Sequence, residues 1–250
     1  MEINPDKVMI KILPEVKDNL NPKRLRDYIK KEYGGNKESK RIYIILGGWH
    51  EIHWLSDILK KKILNRKYSY LHYKIKPEIL SAKAGLTYKS FESIKKKVIA
   101  DIKKIKDKFS EIIVIGTSLH AISAPMIVNN CKEIDKIILV CPGHCLAESL
   151  WNGVRTQNLK DAFVKKGINL KKLKQIWKDL APENNINKMN GKEVVIYNSK
   201  SDKVIPYWCG NRLIKKMRKI GINPIVNTNK YLGHYLTILY FYLFDNAIFK

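Results

Sequence analysis

Short apolar runs and longer amphipathic segments alternate along most of this chain. Runs rich in β-branched residues predict strands, and apolar residues at helical spacing predict helices. The predicted strands are residues 7–13, 41–46, 68–75, 112–115, 136–140, 193–197 and 224–227. The predicted helices are residues 21–33, 54–64, 90–109, 119–127, 207–220 and 233–249. Because strands alternate with helices, we expect an α/β fold with a mostly parallel central sheet and helices on both faces.

The longest departure from this alternation lies at residues 146–190, where the pattern is helical and more polar. We expect this segment to be a small helical cap inserted within a single domain of residues 1–250. No repeat or low-complexity linker divides the chain. In parallel sheets, catalytic and ligand-binding residues usually lie in the loops that follow the carboxyl ends of the strands. Those loops therefore hold the candidate functional residues.

The composition predicts a folded protein with a strongly basic surface. With 250 residues and 45% hydrophobic content, the chain can bury a substantial core and is not a disordered protein. A net charge of +25 allows binding to nucleic acid, an anionic membrane or an acidic partner. However, seven of the 48 basic residues are arginine, the side chain that groove readers and phosphate clamps favour. We favour a lysine-coated surface that binds polyanions non-specifically at low salt.

The distribution of cysteine and apolar residues favours a cytoplasmic location. Four scattered cysteines, Cys131, Cys141, Cys145 and Cys209, are too few for a disulfide scaffold. We expect no secretory signal, because the first residues contain no apolar segment. We also expect no membrane span, because no window reaches the roughly 18 uninterrupted apolar residues that one needs.

The most informative stretch follows the predicted strand at residues 112–115. Gly116 permits a tight turn, and we expect Ser118 at the tip of this turn and an apolar helix directly after it. Strand, Gly-x-Ser and helix together are typical of a nucleophile elbow, which holds a serine hydroxyl above the sheet. The match to G-x-S-x-G is partial, because His120 replaces the second glycine. The His120 side chain can face the adjoining strand or reach the site.

Two further polar side chains follow later strands. Asp202 comes after residues 193–197, and His234 comes after residues 224–227. Taken singly, Asp202 can be a surface turn residue, and His234 can be a helix-capping or core histidine. Similarly, Gly47-Gly48 after the strand at residues 41–46 can be a simple tight turn. Taken together, Ser118, Asp202 and His234 are a serine, an acid and a histidine in that order along the chain, and each follows a predicted strand.

On these residues the chain resembles the α/β-hydrolases along nearly its whole length. The resemblance rests on Gly116-Thr117-Ser118-Leu119, Asp202 with Val204-Ile205-Pro206, Gly233-His234 and Gly47-Gly48-Trp49. It implies that Ser118 is a nucleophile, that His234 is its base, and that Asp202 orients and stabilises the imidazolium. It also implies an oxyanion hole formed by the backbone amides of Leu119 and Trp49.

Several residues are expected to border the substrate pocket, namely Gly48, His50, His120 and His144. The histidine pair His50 and His53 can equally be solvated. The run Cys141-Pro142-Gly143-His144-Cys145 allows a metal or redox interpretation, but it lacks a second ligand pair. We prefer to interpret it as a loop beside the pocket. We expect no metal and no cofactor, and the sequence contains no Gly-rich phosphate loop.

The sequence therefore favours a serine hydrolase that cleaves a small carboxylic ester, or a thioester, through an acyl-enzyme. Residues 146–190, with Trp151, Phe163 and Trp177, would cover the site and set substrate preference. Peptidases, acyltransferases, lyases and C–C hydrolases can use the same three side chains. The rival hypothesis comes from another class: a basic, weakly catalytic or non-catalytic binding protein on a hydrolase scaffold that docks an acidic macromolecule.

Overall fold

The structure is a computed structural model that describes residues 28–36, 38–48 and 53–249. Its strands are β1 (Ile29–Gly34), β2 (Arg41–Leu46), β3 (Ser69–Ile75), β4 (Glu111–Thr117), β5 (Lys136–Val140), β6 (Glu193–Ser199) and β7 (Ile225–Asn229). Its helices are α1 (His53–Asn65), α2 (Ala84–Ile105), α3 (Leu119–Val128), α4 (Leu146–Asn152), α5 (Gln157–Lys165), α6 (Leu170–Ile176), α7 (Tyr207–Lys219) and α8 (His234–Leu243).

The strands form one sheet in the order β1-β3-β2-β4-β5-β6-β7. Strand β1 runs antiparallel to β3, and every other neighbouring pair is parallel. In the centre, Ile45 pairs with Ile115 and Ile115 pairs with Ile138. The expected fold class, a mostly parallel sheet flanked by helices, is confirmed. The carboxyl ends of β4, β5, β6 and β7 consequently lie along one edge.

The central strands are apolar on both faces because each face supports a separate core. On β2, Ile42 and Ile44 belong to the core that also contains apolar residues of α2 and α3. Their neighbours Tyr43 and Ile45 belong to the opposite core, with residues of α1 and α8. All four side chains are fully buried. This two-sided burial explains why the strand pattern is a continuous apolar run instead of an alternation.

One predicted helix is wrong where the structure describes it. Residues 29–33 were expected to be helical, but Ile29–Gly34 forms the edge strand β1. Ionic contacts with neighbouring elements stabilise this strand: Lys31 Nζ lies 2.8 Å from Asp101 Oδ1, and Glu32 binds Lys60 and Lys74 at 2.9 Å. Pairing with β3 therefore outweighs the local preference of this lysine-rich segment for a helix. The strand predicted at residues 7–13 lies outside the described residues.

Most other boundaries agree with prediction to within two residues. Helix α2 begins six residues earlier than predicted, at Ala84. Helix α8 ends at Leu243, and a separate single turn at Ala247–Phe249 follows it. Within the described parts of the chain, none of the helices combines the length and hydrophobicity that a bilayer crossing requires.

Residues 146–190 are helical, as the polar pattern suggested. They comprise α4, α5 and α6, followed by single turns at Lys178–Leu180 and Pro182–Asn184. Phe163 and Trp177 pack edge to face with ring centroids 5.6 Å apart, and both are buried. The Trp177 Nε1–H donates to the Ala84 carbonyl oxygen at 2.9 Å. The segment is therefore anchored to the start of α2 and shares the main core.

Candidate active site

Ser118 lies in a strained turn between β4 and α3. Its backbone angles are φ 55° and ψ −119°, a conformation that non-glycine residues rarely adopt. The Ser118 amide donates to the Val140 carbonyl oxygen at 2.8 Å, which ties the turn to the end of β5. Helix α3 begins at the next residue, Leu119. The turn thus holds Ser118 at the carboxyl end of the central strand.

Close packing of α3 on β4 explains why residue 116 is glycine. A Cβ atom on Gly116 would lie 2.5 Å from the His120 carbonyl oxygen and 2.7 Å from Ala124 Cβ. The His120 side chain has space, because it extends between helices α2 and α3. Its Nδ1 lies 3.0 Å from Ser123 Oγ, and its ring lies 6.3 Å from that of Phe91. The close packing of α3 on β4 therefore requires glycine at residue 116 but not at residue 120.

Asp202 lies in the turn after β6 with both carboxylate oxygens engaged. Its Oδ1 accepts hydrogen bonds from the Val204 and Ile205 amides, each at 2.9 Å. Its Oδ2 lies 2.7 Å from His234 Nδ1. These amides fix the orientation of the carboxylate. Asp202 is 7% exposed, so its bond to the histidine is shielded from water.

His234 is the first residue of α8 and is 1% exposed. Because a carboxylate only accepts, the proton on the ring stands on Nδ1 and is donated to Asp202. The other ring nitrogen, Nε2, then accepts from the Ser118 hydroxyl at 2.8 Å. The turn before α8 is held by a hydrogen bond from the Gly233 amide to Ser201 Oγ at 3.1 Å. Three loops thus join Ser118, His234 and Asp202 in one hydrogen-bonded chain.

Two of the residues expected at the oxyanion hole and pocket adjoin Ser118. Leu119 opens α3, and the first amides of a helix have no partner within the helix. A Cβ on Gly48 would lie 3.5 Å from Ser118 Cβ, so the loop after β2 reaches the elbow. Trp49 and His50 lie outside the described residues.

A cavity of about 40 Å³ adjoins Ser118. Its apolar wall includes Leu80, Leu119, Ile122, Leu146, Leu150 and Ile205. Ser149, Arg155 and Thr156 add polar groups to the wall. Sequence reasoning did not single out Arg155, although a signal was present. Arg155 is the one arginine between Arg66 and Arg212, in a chain that otherwise uses lysine there.

His120 and His144, both expected at the pocket, are not among the residues described as lining this cavity. His144 is fully buried, its Nε2 lies 2.9 Å from Glu148 Oε2, and its ring contacts that of Trp208. Burial lowers the pKa of His144. The loop that carries His144 therefore packs between α4 and α7.

Among the described residues, one group has ligand atoms close enough to hold a metal: Cys141, Asp202 and His234, within 4.8 Å. The Asp202 oxygens and both His234 ring nitrogens already form the hydrogen bonds given above. The Cys141 thiol donates to the His234 carbonyl oxygen at 3.8 Å. A hydrogen-bond network therefore accounts for this cluster without a metal ion.

Two buried cysteines, Cys145 and Cys209, are unsuited to act as nucleophiles. Burial raises the pKa of Cys209 to about 12 and also raises the pKa of Cys145. Thiols with raised pKa values stay protonated at neutral pH, and the thiolate is the reactive form. Ser118, with its hydrogen-bonded imidazole, is the better candidate.

Comparison with known proteins establishes the fold. No family model matches the sequence, and no curated protein matches it. An esterase from Pyrococcus furiosus has a similar structure, with a TM-score of 0.58, 18% identity and 91% of each chain covered. An acetyl xylan esterase from Paenibacillus sp. R4 gives a TM-score of 0.64 at 10% identity, over 82% of this chain and 74% of that one.

A third similar structure is the acylaminoacyl peptidase of Pyrococcus horikoshii, with a TM-score of 0.63 and 11% identity. The match covers 93% of this chain and 40% of the peptidase. The solved structures share the α/β-hydrolase fold, and the predicted resemblance to that fold is confirmed.

Proposed function

We propose that this chain, which has the α/β-hydrolase fold, is a serine hydrolase that cleaves a carboxylic ester or thioester. In this proposal Ser118 is the nucleophile, His234 is the general base, and Asp202 orients the imidazole. The observation that carries it is the pair of hydrogen bonds, at 2.8 and 2.7 Å, that joins the three buried side chains. A serine hydroxyl becomes an effective nucleophile only when a base in hydrogen-bond reach takes its proton.

In the first half of the reaction, Ser118 Oγ attacks the carbonyl carbon while His234 Nε2 takes the hydroxyl proton. The carbonyl oxygen gains a negative charge, which the Leu119 amide stabilises, with the Trp49 amide as the second donor implied by the resemblance. Asp202 stabilises the imidazolium. His234 then gives its proton to the leaving alcohol or thiol as that bond breaks. The acyl group remains on Ser118 as an ester.

In the second half, water repeats these steps on the acyl-enzyme. His234 removes a proton from water, the resulting hydroxide equivalent attacks the acyl carbon, and the tetrahedral intermediate collapses. His234 returns the proton to Ser118 Oγ, and the carboxylic acid leaves. The reaction consumes one water and needs no metal or redox cofactor.

Two observations support an ester as the substrate. The solved structures with a similar fold include proteins named as esterases. The cavity at Ser118 has a mainly apolar wall and a volume of about 40 Å³, which suits a short acyl group. We therefore expect p-nitrophenyl esters of short acids to be cleaved faster than esters of long-chain acids.

Covalent labelling tests the proposal directly. A fluorophosphonate probe should label the wild-type protein and should not label the Ser118→Ala variant. Ser90→Ala is a matched control, because Ser90 is a buried serine on α2 whose hydroxyl donates to the Leu86 carbonyl oxygen. That variant should be labelled like the wild type.

The result that overturns the proposal is an unlabelled wild type under conditions in which a known serine hydrolase reacts. That result would favour the rival hypothesis, a basic binding protein on a hydrolase scaffold. Labelling of Ser118→Ala at the wild-type rate would show that another residue is the nucleophile.

A further inference from the structure

A buried hydrogen bond joins the two elements that carry the proposed nucleophile and the proposed base. Thr117 is the last residue of β4 and directly precedes Ser118. Its Oγ1 lies 3.1 Å from the hydroxyl oxygen of Tyr242, on the helix α8 that begins at His234. Both side chains are buried, with exposed fractions of 1% and 3%. The strand that leads into Ser118 is therefore bonded directly to the helix that carries His234.

Packing alone does not require hydroxyl groups at residues 117 and 242. Valine has nearly the shape of threonine, and phenylalanine has nearly the shape of tyrosine, so an apolar pair would fill the same space. Burying two hydroxyl groups costs free energy, which their mutual hydrogen bond offsets. A hydrogen bond also adds direction, because it weakens steeply outside a narrow range of distance and angle, whereas apolar contact is non-directional. The hydroxyl pair therefore fixes where α8 lies relative to β4.

Helix α8 is built to transmit a shift at one end to the other. Its sequence, His-Tyr-Leu-Thr-Ile-Leu-Tyr-Phe-Tyr-Leu, contains neither proline nor glycine, the residues at which helices usually kink. At its carboxyl end, Lys62 Nζ of α1 donates to the Leu243 carbonyl oxygen at 3.3 Å. The helix is therefore a stiff unit with a second contact next to Tyr242, and a displacement at Tyr242 also displaces His234.

Resting on the proposed serine hydrolase function, we infer that Thr117 and Tyr242 are positioning residues whose hydrogen bond sets the distance between the proposed nucleophile and its base. The distance from Ser118 Oγ to His234 Nε2 is 2.8 Å. A general base must lie within about 2.6–3.2 Å of the atom whose proton it takes, and a misplacement of about 1 Å can slow a reaction roughly 100-fold. Neither Thr117 nor Tyr242 is among the described residues that line the cavity at Ser118, so both act through the proposed triad.

Removal of either hydroxyl group tests the inference with two measurements. Tyr242→Phe and Thr117→Val should each lower kcat/KM for p-nitrophenyl acetate by about 5- to 30-fold, because the base is displaced from the nucleophile. Both variants should slow labelling by a fluorophosphonate probe by a similar factor, since that reaction needs the same activation of Ser118. Thr117→Ser keeps a hydroxyl group on Cβ and should restore most of the wild-type rate. The double variant Thr117→Val/Tyr242→Phe should be no slower than either single variant, because both remove the same bond.

Tyr43→Phe is the matched control for a loss of stability. Tyr43 is a fully buried tyrosine on β2 in the same core as Tyr242, and its hydroxyl donates to the Ile248 carbonyl oxygen at 3.2 Å. This variant also loses a buried hydrogen bond, so its melting temperature should fall about as far as that of Tyr242→Phe. Its rates of ester cleavage and probe labelling should stay within about twofold of the wild type.

Three results overturn the inference while the wild type still reacts, and they leave the proposed serine hydrolase function standing. Tyr242→Phe can react with the ester and the probe at the wild-type rate. Thr117→Ser can be as slow as Thr117→Val, which would assign the effect to side-chain shape instead of the hydroxyl group. Tyr242→Phe and Tyr43→Phe can lose activity equally, which would assign it to general stability. If the wild type neither cleaves the ester nor reacts with the probe, the proposed function fails and this inference fails with it.

Discussion

Ser118 and Gly116 show how the elbow is built from single residues. Ser118 keeps a backbone conformation that costs about 1–3 kcal/mol, and its surroundings must stabilise it. The hydrogen bond from the Ser118 amide to the Val140 carbonyl oxygen contributes to this stabilisation, and so does the packing of α3 against β4 at Gly116. A change at residue 116 therefore reaches the proposed nucleophile two residues away.

We predict that Gly116→Ala lowers the free energy of unfolding by about 1–3 kcal/mol and reduces the proposed esterase activity. The added methyl group overlaps the His120 carbonyl oxygen and Ala124 Cβ, and α3 must move outwards. Urea denaturation measures the first effect, and cleavage of a short p-nitrophenyl ester measures the second.

Gly85→Ala is the matched control for this prediction. Gly85 lies in the first turn of α2, and a Cβ atom there would meet nothing within 4 Å. We expect this variant to be as stable as the wild type or up to about 1 kcal/mol more stable, because alanine favours helix. Equal stabilities of Gly116→Ala and Gly85→Ala would contradict the packing explanation.

At the scale of secondary-structure elements, a partly buried polar cluster connects the segment of residues 146–190 to α7. Glu148 on α4 contacts Lys174 on α6, and its Oε2 lies 3.7 Å from Arg212 on α7. Burial would raise the pKa of Glu148, but the hydrogen bond from Lys174 and the nearby positive charges outweigh it and lower the pKa. His144 and Glu183 face the same cluster. The ionisation states of Glu148 and His144 therefore affect how strongly residues 146–190 are bound to α7.

This cluster predicts how stability depends on pH. Burial lowers the pKa of His144 in the folded state below its ordinary value of about 6.5, so the folded protein favours the neutral ring. The unfolded chain binds the proton more readily. The contribution of neutral His144 to the free energy of unfolding is therefore fully present above about pH 6.5, and it is lost as the pH falls below that value. Glu148 adds a similar loss below about pH 4.5, because its pKa is also lowered.

We predict that the wild-type melting temperature falls between pH 7.5 and pH 5.5 and that His144→Gln shows a smaller fall. Glutamine does not titrate, so the variant lacks the His144 part of the loss. Thermal melts followed by circular dichroism at three pH values measure the difference. A fall of equal size in both proteins would show that His144 does not contribute.

Strand β1 shows why one element was predicted wrongly. Residues 30–32 read Lys-Lys-Glu, a run that suits a solvated helix as well as an edge strand. Its strand pairing depends on β3, and its charges depend on Asp101, Lys60 and Lys74, which are 28 or more residues away. By contrast, β5 was predicted with its observed ends, because the continuous apolar run Ile137-Ile138-Leu139-Val140 suits a strand that is buried on both faces.

At the scale of the whole molecule, the net charge of +25 is the property that the proposed ester cleavage does not explain. Lysines occur on several elements, and four of them, Lys103, Lys132, Lys188 and Lys192, line an open cleft of about 490 Å³. Neutralising phosphates or sulfates with lysine releases counterions, so such binding weakens as salt rises. The charge therefore predicts polyanion binding that is independent of the proposed active site.

We predict that heparin retains the protein at low salt, that retention falls steeply as salt increases, and that Ser118→Ala behaves like the wild type. If binding is non-specific, replacing Lys132 and Lys188 by glutamine should weaken it no more than replacing Lys215 and Lys219, an exposed pair on α7. Elution from a heparin column in a salt gradient measures each protein. A much larger effect of the cleft pair would instead indicate a defined binding site.

The amino-acid sequence by itself determined the α/β class, most strand and helix positions, and the order Ser118, Asp202, His234. Apolar periodicity and turn chemistry are local properties, so they can be read along the chain. The tertiary structure decided which side chains meet. Ser118 and His234 are 116 residues apart, and the parallel arrangement of β4 to β7 brings Ser118 Oγ to 2.8 Å from His234 Nε2. It also decided that His120 extends between α2 and α3 and that Arg155 lines the cavity, because neighbours from distant elements determine where a side chain can go.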